Sequence, residues 1–119
     1  MTSDDGGLTW SPLIKVNKTP TNTSAGNQQA FTASVDVADD GTFAATSSDF
    51  RNNTAAADLT TDDFVVHCHP TSPTACTDPV NWVNELQLTD ASFDMRQAPD
   101  AGGFFTGDYE GLATDGTDG

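Results

Sequence analysis

Two stretches that begin with tryptophan recur along this 119-residue chain and constrain its fold more than any other feature. One reads "WSPLIKVNKT" from Trp10, and the other reads "WVNELQLTDA" from Trp82. In both, two aliphatic residues follow with one residue between them, which places them on one side of a β-strand. These pairs are Ile14 with Val16, and Leu86 with Leu88.

A second pair of similar stretches keeps the same order and nearly the same spacing. "VADDGT" occupies 37–42, and "LATDGT" occupies 112–117. Asp-Gly between alternating segments is typical of a β-hairpin turn. Two landmarks in the same order indicate a repeating unit, which we predict to contain four antiparallel strands. Their expected bounds are Phe31 to Val37, Thr42 to Ser48, Phe64 to Cys68 and Trp82 to Leu88, with a long polar loop between the second and the third.

The composition agrees with an all-β fold, because Thr, Ala, Asp, Gly and Asn dominate while Leu, Lys and Glu are scarce. With 18 acidic and 4 basic residues, the chain has a net charge of −14. It therefore lacks the basic face that nucleic acids and anionic membranes require, and no apolar run is long enough for membrane insertion. The charge favours solubility. We expect no cofactor, although some of the Asp residues could bind calcium, which prefers oxygen ligands.

Cys68 and Cys76 flank the loop "HPTSPTA" and leave three alternatives open. Their spacing can close a loop between neighbouring strands as a disulfide, which implies an oxidising compartment. They can equally be free thiols. The third alternative is a metal site, because His67 and His69 stand on either side of Cys68 and would share one face of a strand.

The first ten residues carry the most specific motif of the chain. "SDDGGLTW" follows the pattern Ser-x-Asp-x-Gly-x-Thr-Trp with Ser3, Asp5, Gly7, Thr9 and Trp10. It resembles the Asp box of the sialidase and BNR-repeat families. We expect a structural turn in which the Asp accepts backbone amides, the Gly takes a positive φ and the Trp buries its ring between neighbouring sheets. The second copy, "ACTDPVNW", keeps the Trp but lacks the Gly, so we expect a degenerate turn.

Two longer segments are similar to the secreted bacterial branch of the same family. They read "QQAFTASVDVADDGTFAATSSDFRNN" and "FDMRQAPDAGGFFTGDYEGLATDG". The resemblance implies an all-β fragment, about one and a half blades of a six-bladed β-propeller. It divides the chain into the end of one blade at 1–25, a full blade at 26–90, and a linker with the start of the next blade at 91–119. The remaining blades would lie elsewhere in a longer extracellular or cell-surface protein, whose signal peptide is not in this piece.

The resemblance also implies a ligand face at the end of the blades opposite the Asp-box turns. Three groups of residues are expected to open on it. They come from the loop between strands two and three, from the segment entering the next blade, and from the start of the first strand. They are Asp49, Phe50, Arg51 and Asn52; Arg96, Asp108, Tyr109 and Glu110; and Gln28, Gln29 and Phe31.

Sialidases hold the carboxylate of their sugar with arginines, whose guanidinium matches a carboxylate through two parallel hydrogen bonds. The chain's two arginines, Arg51 and Arg96, are therefore candidate substrate-binding residues, together with Asp49. Structural alternatives stand beside this hypothesis. Arg51 can pair with Asp49 across its own loop, and Arg96 can hold the long connection before Gly102.

Tyr109, the single tyrosine, is the candidate nucleophile, with Asp108 and Glu110 beside it as candidate acid–base partners. Its structural alternative is packing at the top of a strand. The implied function is a segment of a sialidase-like glycoside hydrolase that acts on or binds terminal acidic sugars of glycans. The alternative is a non-catalytic carbohydrate-binding or adhesion propeller. We expect the chain by itself to be inactive, because such a site draws residues from several blades.

Overall fold

Antiparallel β-sheet dominates the structure, a computed structural model that describes residues 1–107 and 110–114. Four strands follow one another as a meander in the order β1-β2-β3-β4, and a short fifth strand pairs with the start of β3. The strands are β1 Ala30–Val37, β2 Phe43–Asp49, β3 Thr60–Cys68, β4 Val83–Gln87 and β5 Phe93–Asp94. The all-β prediction is confirmed, and the sheet is open.

Short 3₁₀ turns are the only helices in the described part of the chain. They lie before β1, between β3 and β4, and after β5, at Ala25–Gln28, Ala75–Thr77, Pro79–Asn81 and Met95–Gln97. Among the residues described, none of them comes near the length and apolar character that a membrane span requires.

The hairpin between β1 and β2 turns at the predicted Asp-Gly pair. Gly41 has φ +86°, a backbone conformation that would be strained for a residue with a side chain. The Asp40 carboxylate accepts hydrogen bonds from the amide and the hydroxyl of Thr42, at 2.7 and 2.9 Å. The turn is therefore held by its own side chains. β2 begins at Phe43, one residue later than predicted.

β3 begins four residues earlier than expected, inside the stretch assigned to a polar loop. Asp62 lies in this extension and is buried, with 1% of its surface exposed. A buried carboxylate is costly unless it is hydrogen-bonded, and Asp62 accepts bonds from four neutral side chains. They belong to Asn52, Gln87, Thr89 and Ser92, at 2.8 to 3.0 Å. Three of these donors come from later turns and strands, and Asn52 comes from the loop before β3, so the sequence of the strand itself did not reveal the extension.

The segment after Trp10 is not a strand, which corrects the prediction made from its similarity to the segment after Trp82. Within the described residues, no neighbouring strand forms a ladder of backbone hydrogen bonds with this segment. The alternation still has the expected effect, because Ile14 and Val16 both pack against the hydrophobic core. In the second copy, Leu86 lies in β4 but remains 57% exposed.

The core sits on one face of β2 and β3, where a disulfide and a tryptophan meet. Cys68 and Cys76 are bonded to each other, so the disulfide is the alternative that the structure contains. Both half-cystines are buried, and Trp82 is 5% exposed beside them. Partly buried side chains close the cluster: Ile14, Val16, Phe43 and Ala45. Because both sulfurs are in the bond, neither can ligate a metal as a thiolate.

Candidate functional site

The Asp-box turn and the loop after β2 lie at opposite ends of the sheet. Trp10 borders a cavity next to Phe43, where β2 begins. Asp49 ends β2 and pairs with Asp62 near the start of β3. The expected separation of the structural turn from the Arg51 loop is therefore present in this chain.

Asp5 organises the Asp-box turn as expected. Its Oδ1 accepts hydrogen bonds from the amides of Leu8 and Thr9 at 3.0 and 2.9 Å and from the Ser3 hydroxyl at 2.8 Å. The Thr9 hydroxyl donates to Oδ2 at 2.6 Å. Bonds from the Thr9 hydroxyl and amide and from Ser3 lower the pKa of Asp5 to about 2. Gly7 has φ +91°, which its lack of a side chain permits.

Trp10 does not bury its ring between sheets, and this corrects the expectation from the motif. It remains 59% exposed and donates from its indole nitrogen to the carbonyl of Gly7 at 3.1 Å. The ring borders an apolar groove of about 710 Å³, which Val35, Phe43 and Trp82 also line. No second sheet covers this groove within the residues that the structure describes.

Arg51 is held in place by two carboxylates and an aromatic ring. Its Nε donates to both oxygens of Asp49, at 3.0 and 2.8 Å. Its two terminal nitrogens donate to the two oxygens of Glu85 on β4, the longer bond being 3.0 Å. The guanidinium carbon lies 3.6 Å from the centre of the Phe64 ring. The structural alternative considered for Arg51, an ion pair with Asp49, is thus present, and Glu85 adds a second carboxylate.

This network neutralises Arg51 inside the fold. Burial opposes the charge of Arg51, but the hydrogen bonds to Glu85 and Asp49 outweigh it and raise its pKa further. Asp49 is fully buried and also accepts a bond from the Thr19 hydroxyl at 2.5 Å. Three of the five N–H groups of a guanidinium donate to these two carboxylates, and Nη2 also lies 2.7 Å from Asp49 Oδ2. Arg51 therefore has little donor capacity left for a ligand, and its substrate-binding role stays a prediction.

Arg96 is the more available arginine. Its side chain is 40% exposed and contacts Asp94 Oδ1 at 3.3 Å. Asp94 also accepts the backbone amide of Leu59, which is the main reason why its pKa falls to about 2. Because Asp94 pairs with Thr60 at the start of β3, Arg96 lies at the same end of the sheet as Arg51. A long contact at the surface leaves its guanidinium free to exchange partners.

An aromatic cavity of about 400 Å³ opens at this end of the sheet. The Phe31 and Phe50 rings lie 4.9 Å apart between centroids. The remaining lining comes from Gln29, Ala30, Met95 and Phe104. Two of the three groups expected to share a face line this cavity, through Gln29 and Phe31 and through Phe50. From the third group, Arg96 is not in the lining, although its neighbour Met95 is.

Other candidates from the sequence take different positions. Asn52 donates to buried Asp62, and Gln28 donates to the carbonyl of Thr23 at 2.7 Å, so both serve the scaffold. Asp108 and Tyr109 lie outside the described residues, and Glu110 is exposed.

Sequence reasoning missed two kinds of residue at this end. Glu85 on β4 lies far along the chain from Arg51, so no motif joined them. For Met95 and Phe104, the only sequence signal was their position in a segment similar to the family. The predicted roles in that segment went to Arg96 and Tyr109. No group of three or more His, Cys, Asp or Glu within 1–107 and 110–114 is placed to hold a metal ion.

In comparisons with protein-family models, curated proteins and solved structures, nothing matches this chain. The resemblance to Asp-box proteins therefore stays a prediction from the residues quoted above.

Proposed function

We propose that this chain is a blade-containing segment of a sialidase-like β-propeller that binds a terminal sugar of a glycan. The observation that carries the proposal is the aromatic cavity at the sheet end opposite the Asp-box turn. Two further features support it. A four-stranded antiparallel meander is the repeating unit of propellers. Among the described residues, no further strand pairs with β1 or β4, so both are edges at which other strands could pair.

The cavity suits the chemistry of a sugar ring. A pyranose presents an apolar C–H face that packs on aromatic rings and a rim of hydroxyls that need hydrogen bonds. Phe31 and Phe50 supply adjoining rings, and Phe104, 54% exposed, supplies a third at the mouth. Gln29 brings an amide that can both donate and accept.

Arg96 is the residue of the described chain best placed to favour an acidic sugar. A net charge of −14 repels anions at long range, so a carboxylate needs a local cation. Arg51 is neutralised by Asp49 and Glu85, whereas Arg96 has one long surface contact. In this proposal, Arg51 shapes the scaffold beneath the site and Arg96 contacts the ligand.

The experiment is an NMR titration of the isotopically labelled chain with sialyllactose and with lactose. We expect shifts at Phe31, Phe50 and Gln29, and tighter binding of the sialylated sugar. Phe104→Ala should weaken binding of both sugars because the ring at the mouth is lost. Phe93→Ala is the control, since Phe93 is also an exposed phenylalanine, at 38% against 54% for Phe104, but does not line the cavity. Shifts confined to the Asp-box end, or none at saturating sugar, would contradict the proposal.

Arg96→Ala separates the acidic-sugar form of the proposal from the neutral one. A charged hydrogen bond contributes about 1.5–3 kcal/mol, less at an exposed site, so sialyllactose affinity should fall by roughly threefold to tenfold. Lactose affinity should stay the same. Equal losses of affinity for both sugars would show that Arg96 stabilises the fold and does not bind the carboxylate.

The hydrolytic form of the proposal depends on Tyr109 with Asp108 and Glu110. In a parent protein that cleaves a fluorogenic sialoside, Tyr109→Phe should abolish turnover and leave binding intact. Unchanged turnover would leave the carbohydrate-binding alternative as the function.

A further inference from the structure

His67 and His69 place two imidazoles side by side at the Asp-box end of β3. Their ring centroids are 6.4 Å apart, and the ring planes differ by 18°. His69 is exposed and His67 is half-buried, so solvent reaches the pair. Cys68 points to the core between them and is fully buried in its disulfide. The disulfide thus removes the sulfur from the His-Cys-His sequence and leaves two nitrogen ligands on the opposite face.

The tautomer of His69 follows from its neighbours. Hydrogen bonds from the Thr42 amide and hydroxyl lower the pKa of Asp40. An ionised carboxylate only accepts, so the Thr42 hydroxyl gives its single hydrogen to Asp40. The Thr42 oxygen, 2.8 Å from His69 Nδ1, can then only accept from that nitrogen. His69 therefore carries a hydrogen on Nδ1, which leaves Nε2 as the ring nitrogen available to ligate a metal.

This relay matches the outer shell of a metal-binding histidine. Such histidines donate their second ring N–H to a carboxylate or another acceptor, which fixes the ring and raises the basicity of the ligating nitrogen. Here Asp40 and Thr42 perform that task from the β1–β2 hairpin. The hairpin also packs on the loop that follows His69, since a Cβ at Gly41 would lie 3.6 Å from the side chain of Pro70.

The ring separation allows both histidines to reach one ion. A metal bound about 2.0–2.1 Å from each nitrogen keeps the two ring centroids within roughly 6.5 Å of each other. That upper limit applies to a linear nitrogen–metal–nitrogen arrangement, and the observed 6.4 Å is close to it, so a bent arrangement requires the side chains to rotate toward each other. Imidazole ligands favour copper, nickel and zinc over calcium and magnesium, and Cu²⁺ binds most tightly among the divalent ions.

We propose that His67 and His69 form a two-imidazole site for a divalent transition cation, with Cu²⁺ preferred, and that Thr42 orients His69. Water completes the coordination sphere. The net charge of −14 concentrates cations around the chain and favours their encounter with the site. The site is independent of the sugar-binding proposal, because it lies at the other end of the sheet.

The test is calorimetric titration of the untagged, disulfide-bonded chain with Cu²⁺ and with Zn²⁺, in excess Mg²⁺ to occupy carboxylates. We expect one Cu²⁺ per chain, weaker Zn²⁺ binding, and an electron paramagnetic resonance spectrum with nitrogen couplings. His67→Ala and His69→Ala should each weaken Cu²⁺ binding about tenfold or more. Binding that survives both changes, or that shows oxygen ligands alone, would overturn the proposal.

Two variants at Thr42 test whether this residue orients His69 or only stabilises the hairpin. Thr42→Ser keeps the hydroxyl, whereas Thr42→Val removes it at nearly the same volume. We expect Thr42→Val to weaken Cu²⁺ binding by about tenfold and Thr42→Ser to retain it. Far-ultraviolet circular dichroism and the amide spectrum report whether the variant remains folded. Equal Cu²⁺ affinity in a folded Thr42→Val protein would contradict the orienting role.

Discussion

Two turns of this molecule end in a tryptophan, and they are stabilised by different interactions. In the Asp-box turn, Trp10 donates to the carbonyl of Gly7 at 3.1 Å; in the second turn, Trp82 donates to the carbonyl of Cys76 at 3.0 Å. The closing bond is therefore similar. Trp10 is 59% exposed, whereas Trp82 is 5% exposed. The first turn is closed by its own side chains, and the second is held by the core.

The hydrogen-bond partners explain the difference. Asp5 accepts four bonds from within its turn. Asp78, the carboxylate of the second turn, accepts the Val80 amide at 3.0 Å and caps a short 3₁₀ turn. The disulfide and the packing around Trp82 replace the missing local bonds. In the second turn, burial of the tryptophan and a covalent link thus provide the stability that local hydrogen bonds provide in the first.

Replacing the two tryptophans should give the largest contrast. Trp82→Ala removes a buried ring and should lower the free energy of unfolding by about 3–5 kcal/mol. Trp10→Ala removes an exposed ring and should cost under about 1 kcal/mol. Urea unfolding followed by circular dichroism measures both. Trp82→Phe keeps part of the packing and serves if the alanine variant does not fold. Similar losses at both positions would break the comparison.

The disulfide should have the next largest effect. Replacing Cys68 and Cys76 together by Ala opens a short loop and should cost about 2–3 kcal/mol in the chain-entropy description. Urea unfolding gives the loss, and amide spectra give its location. We expect changes around Trp82 and none in the Asp-box turn. Changes at both turns would show that they are coupled.

The two turn carboxylates should differ in how much they protect their amides. Asp5→Asn should speed hydrogen exchange at Leu8 and Thr9 by roughly three- to tenfold, because charged acceptors form the stronger bonds. Asp78→Asn should change exchange at Val80 less, since one bond is at stake. Amide exchange measured by NMR compares them directly. A larger acceleration of exchange at Val80 in Asp78→Asn than at Thr9 in Asp5→Asn would contradict this prediction.

Acid should produce the smallest effect, confined to the first turn. The pKa of Asp5 is lowered from 3.8 to about 2. A lowered pKa stabilises the folded turn fully above pH 3.8, and this contribution disappears as the pH falls through about 2. The carboxyl carbon shift of Asp5 reports the titration, and the Trp10 indole signal reports the opening. A midpoint near 3.8 would contradict the hydrogen-bonded geometry.

Much of the fold could be predicted where the decisive interactions are local. The strands β1, β2 and β4 fall within one residue of their predicted ends, because alternation and the Asp-Gly turn are visible in short windows. The predicted start of β3 was wrong because Asp62 depends on four donors that all lie outside the strand. The face shared by Phe31 and Phe50 was predicted from the resemblance, whereas the pairing of Arg51 with Glu85 was not.

The sequence by itself determined the Asp-box turn, since Ser3, Asp5 and Thr9 supply each other's partners within eight residues. It also determined the Asp-Gly hairpin, where the chain needs a positive φ. Only the tertiary structure decided which tryptophan is buried and whether Arg51 is free. It also decided which nitrogen of His69 carries the proton. Those outcomes depend on side chains from other strands, whose desolvation and hydrogen bonding no local pattern contains.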